Sequence, residues 1–395
     1  MAHAELLQPL ALQQPRWTRG VIAAAAMVMA LAVGLSIGGQ VGRFAATGLV
    51  FVPLILLAGL LQLRRWKTAR VLSWIWFWFM VVGVALTALG MVLVTSAPTG
   101  LLGSTAIAGS RLDPTARAQM QEASRGLIAP TLAVLGIVLA GIVLAATPLW
   151  PTVARILGAR DIDQAHPAHA QGTVGLLVGS ALAIAPLVLL GGRAPLVDLL
   201  NKIDPSSIGG MLEQVIDQSS SAAWTIVFAL WASAWPVRLS FREALARLGV
   251  TKLARHDALP LIAITVLLVA LGFALDSLSH AIWGVFGWPS TDASVITRLI
   301  SVAATPLGAV IIALCAGVSE ELLFRGLLQP RFGWLLANIG FAAMHAFQYG
   351  LDGLVAVFIV GGVLAFVRQR WNTSASIGVH VGYDMILLFL AQLGF

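Results

Sequence analysis

Charged residues are scarce in this sequence. Aspartate, glutamate, lysine and arginine make up only 10% of its 395 residues, whereas hydrophobic residues make up 59%. About a quarter of the residues of an ordinary soluble domain are charged, so this composition excludes that class. Repeated apolar stretches of about 20 residues are each long enough to cross the hydrocarbon core of a bilayer as a helix. The sequence therefore predicts a multi-pass integral membrane protein.

Two further features are missing. The alternating-polarity segments of about ten residues that are typical of a transmembrane β-barrel are absent, so we predict an all-α fold. Cysteine occurs once, at Cys315, which excludes an intramolecular disulfide. The predicted fold is a polytopic transmembrane bundle of about eleven helices. These cover residues 20–39, 45–63, 71–97, 127–150, 173–192, 222–237, 258–286, 299–324, 332–348, 351–367 and 375–394.

Basic residues give the chain a formal net charge of +7. They occur in short clusters between the apolar spans, where membrane orientation and lipid headgroups explain them better than nucleic acid does. We therefore predict no nucleic-acid partner. The clusters at residues 64–70, 238–255 and 368–370 fall on one side of the predicted bundle. The excess of lysine and arginine predicts that this side, and the N-terminus with it, is cytoplasmic.

Three charged residues, Glu320, Glu321 and Arg325, follow a stretch from 299 to 319 that contains no charge. Each charge at mid-membrane costs about 2.5–3.5 kcal/mol, so a partner is needed. On a helix Glu321 and Arg325 share a face and can form an ion pair, whereas Glu320 points elsewhere. The alternative is that all three lie at the end of a span and reach the headgroups.

Two later helices also carry polar groups into apolar segments. His345 lies four residues after Phe341 on the same helical face, although a lone buried histidine is more often a hydrogen-bonded core residue than a catalytic one. His380 and Asp384 share a face of the last span. We predict that Glu320, His345, His380 and Asp384 converge on one wet cavity.

Such a constellation suits hydrolysis of a peptide bond. Glu320 has no counter-ion near it in the sequence, and a poorly solvated carboxylate is a competent general base for water. A zinc ion bound by Glu320, His345 and His380 is the alternative. The His-Glu-x-x-His zinc signature is absent, and we prefer a mechanism without a metal cofactor.

The three motifs Glu-Glu-x-x-x-Arg, Phe-x-x-x-His and His-x-x-x-Asn/Asp, in this order on successive helices, resemble the CPBP family of intramembrane proteases. That family includes the type II CAAX prenyl endopeptidases and bacteriocin-processing and abortive-infection-type proteins. The resemblance covers about residues 300–390. It predicts a protease core at residues 299–395 after an N-terminal multi-span region, residues 1–298, whose role is unassigned.

The resemblance also implies roles for the site residues. Glu320 activates water with His345, and Glu321 and Arg325 support the site. His380 and Asp384 stabilise the oxyanion or orient the site. Family members often carry Asn at the last position; Asp384 can donate a hydrogen bond only when protonated, and otherwise orients His380 or binds metal.

The resemblance implies an intramembrane endopeptidase that cuts a hydrophobic or membrane-anchored peptide, in a bacterial inner membrane. The expected partners are membrane lipid and that peptide. One alternative is a non-catalytic scaffold or bacteriocin-immunity-type protein that retains the motifs. Another is a proton-coupled transporter, against which the ordered motif spacing argues. The sequence leaves the substrate identity and the oligomeric state open.

Overall fold

A computed structural model gives the fold of residues 17–63, 66–96, 126, 128–146, 152, 167–200, 211–291 and 305–393. The predicted all-α fold is confirmed, since these residues contain helices and no strand. The helices are α1 (Trp17–Ile37), α2 (Gly39–Gln62), α3 (Lys67–Ser96), α4 (Ile128–Ala146), α5 (Pro167–Leu189), α6 (Pro195–Leu200), α7 (Met211–Ala232), α8 (Phe241–Arg247), α9 (Ala258–Phe286), α10 (Pro306–Glu321), α11 (Gln329–Phe332), α12 (Trp334–His345), α13 (Leu351–Arg370) and α14 (Thr373–Gln392).

Each of the eleven predicted segments coincides with a helix. Within the described ranges, nine helices are long and apolar enough to cross a membrane. The other two predicted spans, 222–237 and 332–348, correspond to α7 and α12. The first half of α7 carries Glu213 and Asp217, and α12 has only 12 residues, or about 18 Å of helix, against a hydrocarbon core of about 30 Å.

The predicted span 299–324 is longer and less regular than expected. Its first residues, 299–304, lie outside the described part of the chain. The Thr305 side chain accepts a hydrogen bond from the Gly308 amide at 3.1 Å and so caps the start of α10. After Glu321 the helix continues as a π-helix over Leu322–Leu328 and then as α11. Wider turns of this kind occur frequently at functional sites.

The helices of the last hundred residues pack against earlier ones. One buried apolar cluster joins Leu261 and Leu268 of α9 to Leu364 of α13 and Val379 of α14. Another joins α7 and α8 to the π-helix, with Leu248 and Leu322 among its members. The core around α10 and α14 is therefore built partly from residues before 298. The predicted division of the chain at residue 298 stays a prediction.

Several basic segments lie together at one end of the bundle, which we call the basic end (residues 62–70, 238–257 and 368–373). Arg238 Nη2 donates to the Gln62 carbonyl at 3.2 Å, and Trp371 Nε1 donates to Asp257 Oδ1 at 2.8 Å. Arg64 and Arg65 lie outside the described residues. The clusters predicted to share a side thus meet where the structure describes them, and their cytoplasmic orientation stays a prediction.

Candidate active site

Glu321, the last residue of α10, has a side chain with no exposed surface. Its Oε2 lies 3.5 Å from Arg325 Nε, so the predicted ion pair is confirmed. Its Oε1 accepts a hydrogen bond from His380 Nδ1 at 3.0 Å, and the Ser376 hydroxyl donates to Oε2. An ion pair from the π-helix and two hydrogen-bond donors from α14 therefore hold this one carboxylate inside the protein.

Arg325 is buried almost as completely, with 1% of its side chain exposed. Its Nη2 donates to the Gly361 carbonyl at 2.8 Å, and its Cζ lies 4.2 Å from the centroid of the Phe341 ring. Gly361 is near the midpoint of α13, about 15 Å from either end at 1.5 Å per residue. The alternative in which these charges reach the headgroups at a helix end is therefore wrong for Arg325 and for Glu321.

This contact needs a glycine on α13. A Cβ at position 361 would lie 2.3 Å from Asn338 Oδ1 and 3.1 Å from Arg325 Nη2. Asn338, on α12, is itself buried and donates to the Phe358 carbonyl at 2.7 Å. The absence of a side chain at Gly361 thus lets α12 and α13 close around the guanidinium.

Glu320 lies on a different face from its neighbour, as the helical spacing predicts. Its side chain is 19% exposed, and its Oε2 is 4.0 Å from Nε2 of His345. That separation exceeds a direct N–H···O hydrogen bond of about 2.7–3.2 Å. Glu320 is therefore the less enclosed of the two carboxylates and is loosely paired.

His345 is the last residue of α12, and a hydrogen bond to the preceding helical turn fixes the orientation of its ring. Its Nδ1 lies 2.9 Å from the Phe341 carbonyl, and a carbonyl oxygen only accepts, so Nδ1 carries the proton of this hydrogen bond. In a neutral imidazole Nε2 is then the acceptor nitrogen, and it is the nitrogen that faces Glu320. A proton acceptor and a carboxylate thus face the same space.

His380 and Asp384 form the third part of the site, one turn apart on α14. His380 is buried, and its Nε2 lies 3.5 Å from Asp384 Oδ2, whose side chain is 23% exposed. Since Nδ1 is bonded to Glu321, the Nε2 side of the ring is directed towards the less enclosed groups. This separation is again longer than an ordinary hydrogen bond.

The Phe341 ring lies near both histidines of the site. Its centroid lies 5.0 Å from that of the His345 ring and 6.2 Å from that of the His380 ring. Phe341 is buried, so the two histidines pack near one apolar ring inside the protein. The structure thus brings Glu320 to His345 and His380 to Asp384, and it adds a contact of His380 with Glu321 rather than with Glu320.

The same residues can be tested as a metal site. Among the described residues, no three His, Cys, Asp or Glu side chains are placed to share one ion. Nδ1 of His380 is committed to Glu321, and its Nε2 faces Asp384 rather than Glu320. As arranged, Glu320, His345 and His380 do not fit a three-ligand zinc site.

Three residues that surround this cluster, Ser376, Gly361 and Asn338, were not predicted from the sequence. Ser376 precedes His380 by one helical turn, so a search for polar residues at 376, 380 and 384 would have found it. Gly361 and Asn338 could not be found in this way, because they lie on two other helices, far from Arg325 in the sequence. Asp276 and His280 share the spacing of His380 and Asp384, yet their side chains are 71% and 51% exposed.

Residues 301–386 match the family model described as type II CAAX prenyl endopeptidase Rce1-like. Over these residues the chain is similar to the CPBP proteases. The resemblance predicted from the three motifs is therefore confirmed for this segment, which contains every site residue described above. No curated protein and no solved structure matches the chain.

The nine apolar helices of the described ranges and the family match together give a multi-pass integral membrane protein with a segment similar to CAAX-type proteases.

Proposed function

We propose that this protein is an intramembrane endopeptidase that hydrolyses a peptide bond in a hydrophobic or membrane-anchored peptide. The observation that carries the proposal is the contrast between two adjacent carboxylates. Glu321 accepts hydrogen bonds from Ser376 and His380 and pairs with Arg325, whereas Glu320 is part-exposed and faces His345 Nε2 at 4.0 Å. Only the second arrangement leaves a base free to act on water.

Water is expected to bind beside Glu320 Oε2 and His345 Nε2, which are too far apart for a direct hydrogen bond. Glu320 removes a proton from this water while its oxygen adds to the peptide carbonyl carbon. The carbonyl π electrons move to the oxygen, which becomes the oxyanion. The oxyanion then re-forms the carbonyl as the C–N bond breaks and the proton passes from Glu320 to the peptide nitrogen, which leaves a carboxylic acid and an amine.

His380 is proposed to stabilise that oxyanion. Because Glu321 accepts from Nδ1, the protonated ring can direct an Nε2–H towards the substrate, and Asp384 lies beside it at 3.5 Å. Removing one such donor typically costs about 3–4 kcal/mol of transition-state stabilisation. Arg325 and Ser376 act through Glu321, which they hold in place.

No step of this scheme uses a metal ion, because the three proposed ligands point to different neighbours. We propose a glutamate-dependent mechanism on that basis. Prolonged treatment of the purified protein with 1,10-phenanthroline is expected to leave cleavage within about twofold of the untreated rate. A loss of activity that added zinc restores would contradict this part of the proposal.

The function is tested with purified protein in lipid nanodiscs and two quenched fluorescent probes, a farnesylated CAAX peptide and an unprenylated hydrophobic peptide. Cleavage of either probe supports the proposal if Glu320→Gln and His345→Ala each lower the rate by at least about 100-fold. Cleavage that is unaltered in both variants would reject these residues as catalytic. A wild type that cleaves neither probe would favour the non-catalytic scaffold.

A further inference from the structure

The chain contains only two tyrosines, and both lie beside the candidate active site. Tyr383 precedes Asp384 in the sequence, whereas the Tyr349 ring stacks on His345, the residue that faces Glu320. Tyr349 is therefore the tyrosine that lies beside the pair of Glu320 and His345.

Tyr349 is held one turn beyond His345. The two rings are stacked, with centroids 6.1 Å apart and planes 28° apart, and the Tyr349 amide donates to the His345 carbonyl at 3.0 Å. On the other side the tyrosine packs on Gly353 of α13, where a Cβ would lie 2.8 Å from the Tyr349 Cβ. Its position is thus fixed by the same residue that faces Glu320.

The segment after Tyr349 is anchored as well. The Gly350 amide donates to the Thr291 hydroxyl oxygen at 2.9 Å, and that hydroxyl donates to Asp352 Oδ1 at 2.6 Å. Asp352 is buried at the start of α13. The backbone that carries Tyr349 is therefore tied to the segment after α9 and to α13, so that a constrained turn directs the Tyr349 ring.

The chemistry of the site leaves a need for a neutral donor. Glu320, Glu321 and Asp384 can only accept hydrogen bonds when they are ionised. The Arg325 guanidinium already pairs with Glu321 and donates to the Gly361 carbonyl. His380 contributes a single free N–H to the substrate side. A phenol hydroxyl donates a hydrogen bond without adding charge, and it can strengthen that bond as negative charge develops on a carbonyl oxygen.

We propose that Tyr349 is a further catalytic residue, whose hydroxyl donates a hydrogen bond to the substrate carbonyl oxygen as water adds to the carbonyl carbon. This role rests on the proposed hydrolysis. The phenol keeps its own proton throughout, so the proton balance of the reaction is unchanged. Together with His380 Nε2, it supplies the second donor of the oxyanion site.

Tyr383 provides a matched control, because its hydroxyl contacts another helix and none of the groups proposed to act in the reaction. Its hydroxyl packs against α9, where a Cβ at Gly272 would lie 2.8 Å from it. The substitution Tyr383→Phe removes the same atom as Tyr349→Phe, at the same distance along the side chain. A general effect of losing a phenol near Asp384 would therefore appear in both variants.

The kinetic test uses the probe cleaved by the wild type in nanodiscs. Tyr349→Phe is expected to lower kcat by about 100-fold or more, with KM changed by less than about threefold, because the donor acts on the transition state. Tyr383→Phe is expected to keep kcat within about threefold. A Tyr349→Phe variant with wild-type kcat, or equal losses in the two variants, would overturn the proposal.

A second measurement tests the placement of Tyr349 without any cleavage. Protein labelled with 3-fluorotyrosine has two ¹⁹F resonances, which the two Tyr→Phe variants assign. Glu320→Gln is expected to shift the Tyr349 resonance and to leave that of Tyr383 in place, whereas Asp384→Asn shifts both. An unmoved Tyr349 resonance in Glu320→Gln would overturn the proposal.

The two measurements also separate this proposal from the proposed function. A wild type that cleaves neither probe contradicts hydrolysis, and the catalytic role of Tyr349 is then rejected with it, whatever the ¹⁹F spectra show. Cleavage that depends on Glu320 but not on Tyr349 leaves hydrolysis intact and rejects Tyr349 alone.

Discussion

Glu320 and Glu321 are neighbours in sequence and opposites in environment. The Glu321 side chain is 0% exposed and is bound by an arginine, a serine and a histidine, whereas that of Glu320 is 19% exposed and has one loose partner. The difference arises because successive residues of a helix point about 100° apart. The Glu321 carboxylate is therefore buried inside the protein, whereas the Glu320 carboxylate is partly exposed.

The site has two halves that differ in the same way. The supporting half, Glu321 with Arg325 and Ser376, is buried, and the Glu321 and Arg325 side chains are 0% and 1% exposed. In the other half, Glu320 lies 4.0 Å from His345 and His380 lies 3.5 Å from Asp384, and the side chains of Glu320, His345 and Asp384 are 17–23% exposed. Catalytic hydrogen bonds are often long before substrate is bound. Substitutions in the supporting half should therefore reduce stability, and those in the other half should reduce turnover.

The largest expected effect on stability comes from Arg325→Met. Removing the guanidinium leaves the carboxylate of Glu321 buried without its counter-ion, which should lower the free energy of unfolding by about 3–5 kcal/mol. Chemical denaturation in detergent micelles measures the change. The control Arg370→Met removes an exposed arginine that stacks on Trp371 at 4.9 Å, and it should cost about 1 kcal/mol or less. Equal losses in both variants would contradict the structural role of Arg325.

Gly361→Ala should have an intermediate effect, because the added methyl group collides with buried polar atoms. Overpacking of this kind costs about 1–3 kcal/mol, and the loss should appear in the same denaturation experiment. The adjacent Gly362→Ala is the matched control, since its nearest atom is Asn338 Nδ2 at 3.9 Å. A Gly361→Ala variant as stable as Gly362→Ala would show that Arg325 does not need this close approach.

Contacts between residues that are close together in the chain could be predicted from the sequence, and contacts between distant residues could not. Apolar runs located the helices, and the spacing of Glu321 and Arg325 predicted their pairing, because both depend on residues close together in the chain. The contact of Arg325 with Gly361 joins residues 36 positions apart. Pairing of His380 with Glu321 rather than with Glu320 depends on how α10 and α14 are aligned, which no local pattern determines.

The π-helix and the short α12 were also missed, for a related reason. Residues 322–328 are apolar apart from Arg325, and such a composition fits an α-helix equally well. The segment 332–348 was predicted to span the membrane, but its helix ends at His345. An end at that residue places an imidazole at a helix terminus within the bundle.

Ser376→Ala is expected to reduce stability less than Arg325→Met does. It removes one hydrogen-bond donor from a buried carboxylate, which should lower the free energy of unfolding by about 1–3 kcal/mol, and kcat should fall less than in variants of Glu320. Ser374→Ala is the control, because the Ser374 hydroxyl accepts a bond from the Thr251 amide at an exposed position. A Ser376→Ala variant that loses its turnover and keeps its stability would contradict the supporting role of Ser376.

The most direct test measures turnover and unfolding together for Glu320→Gln and Glu321→Gln, with the probe peptide that the wild type cleaves. We expect Glu320→Gln to lower kcat by at least about 100-fold while the free energy of unfolding changes by less than about 1 kcal/mol. Glu321→Gln should lower the free energy of unfolding by about 3–5 kcal/mol. A Glu320→Gln variant that cleaves at the wild-type rate, or that unfolds as easily as Glu321→Gln, would contradict the division of labour between the two carboxylates.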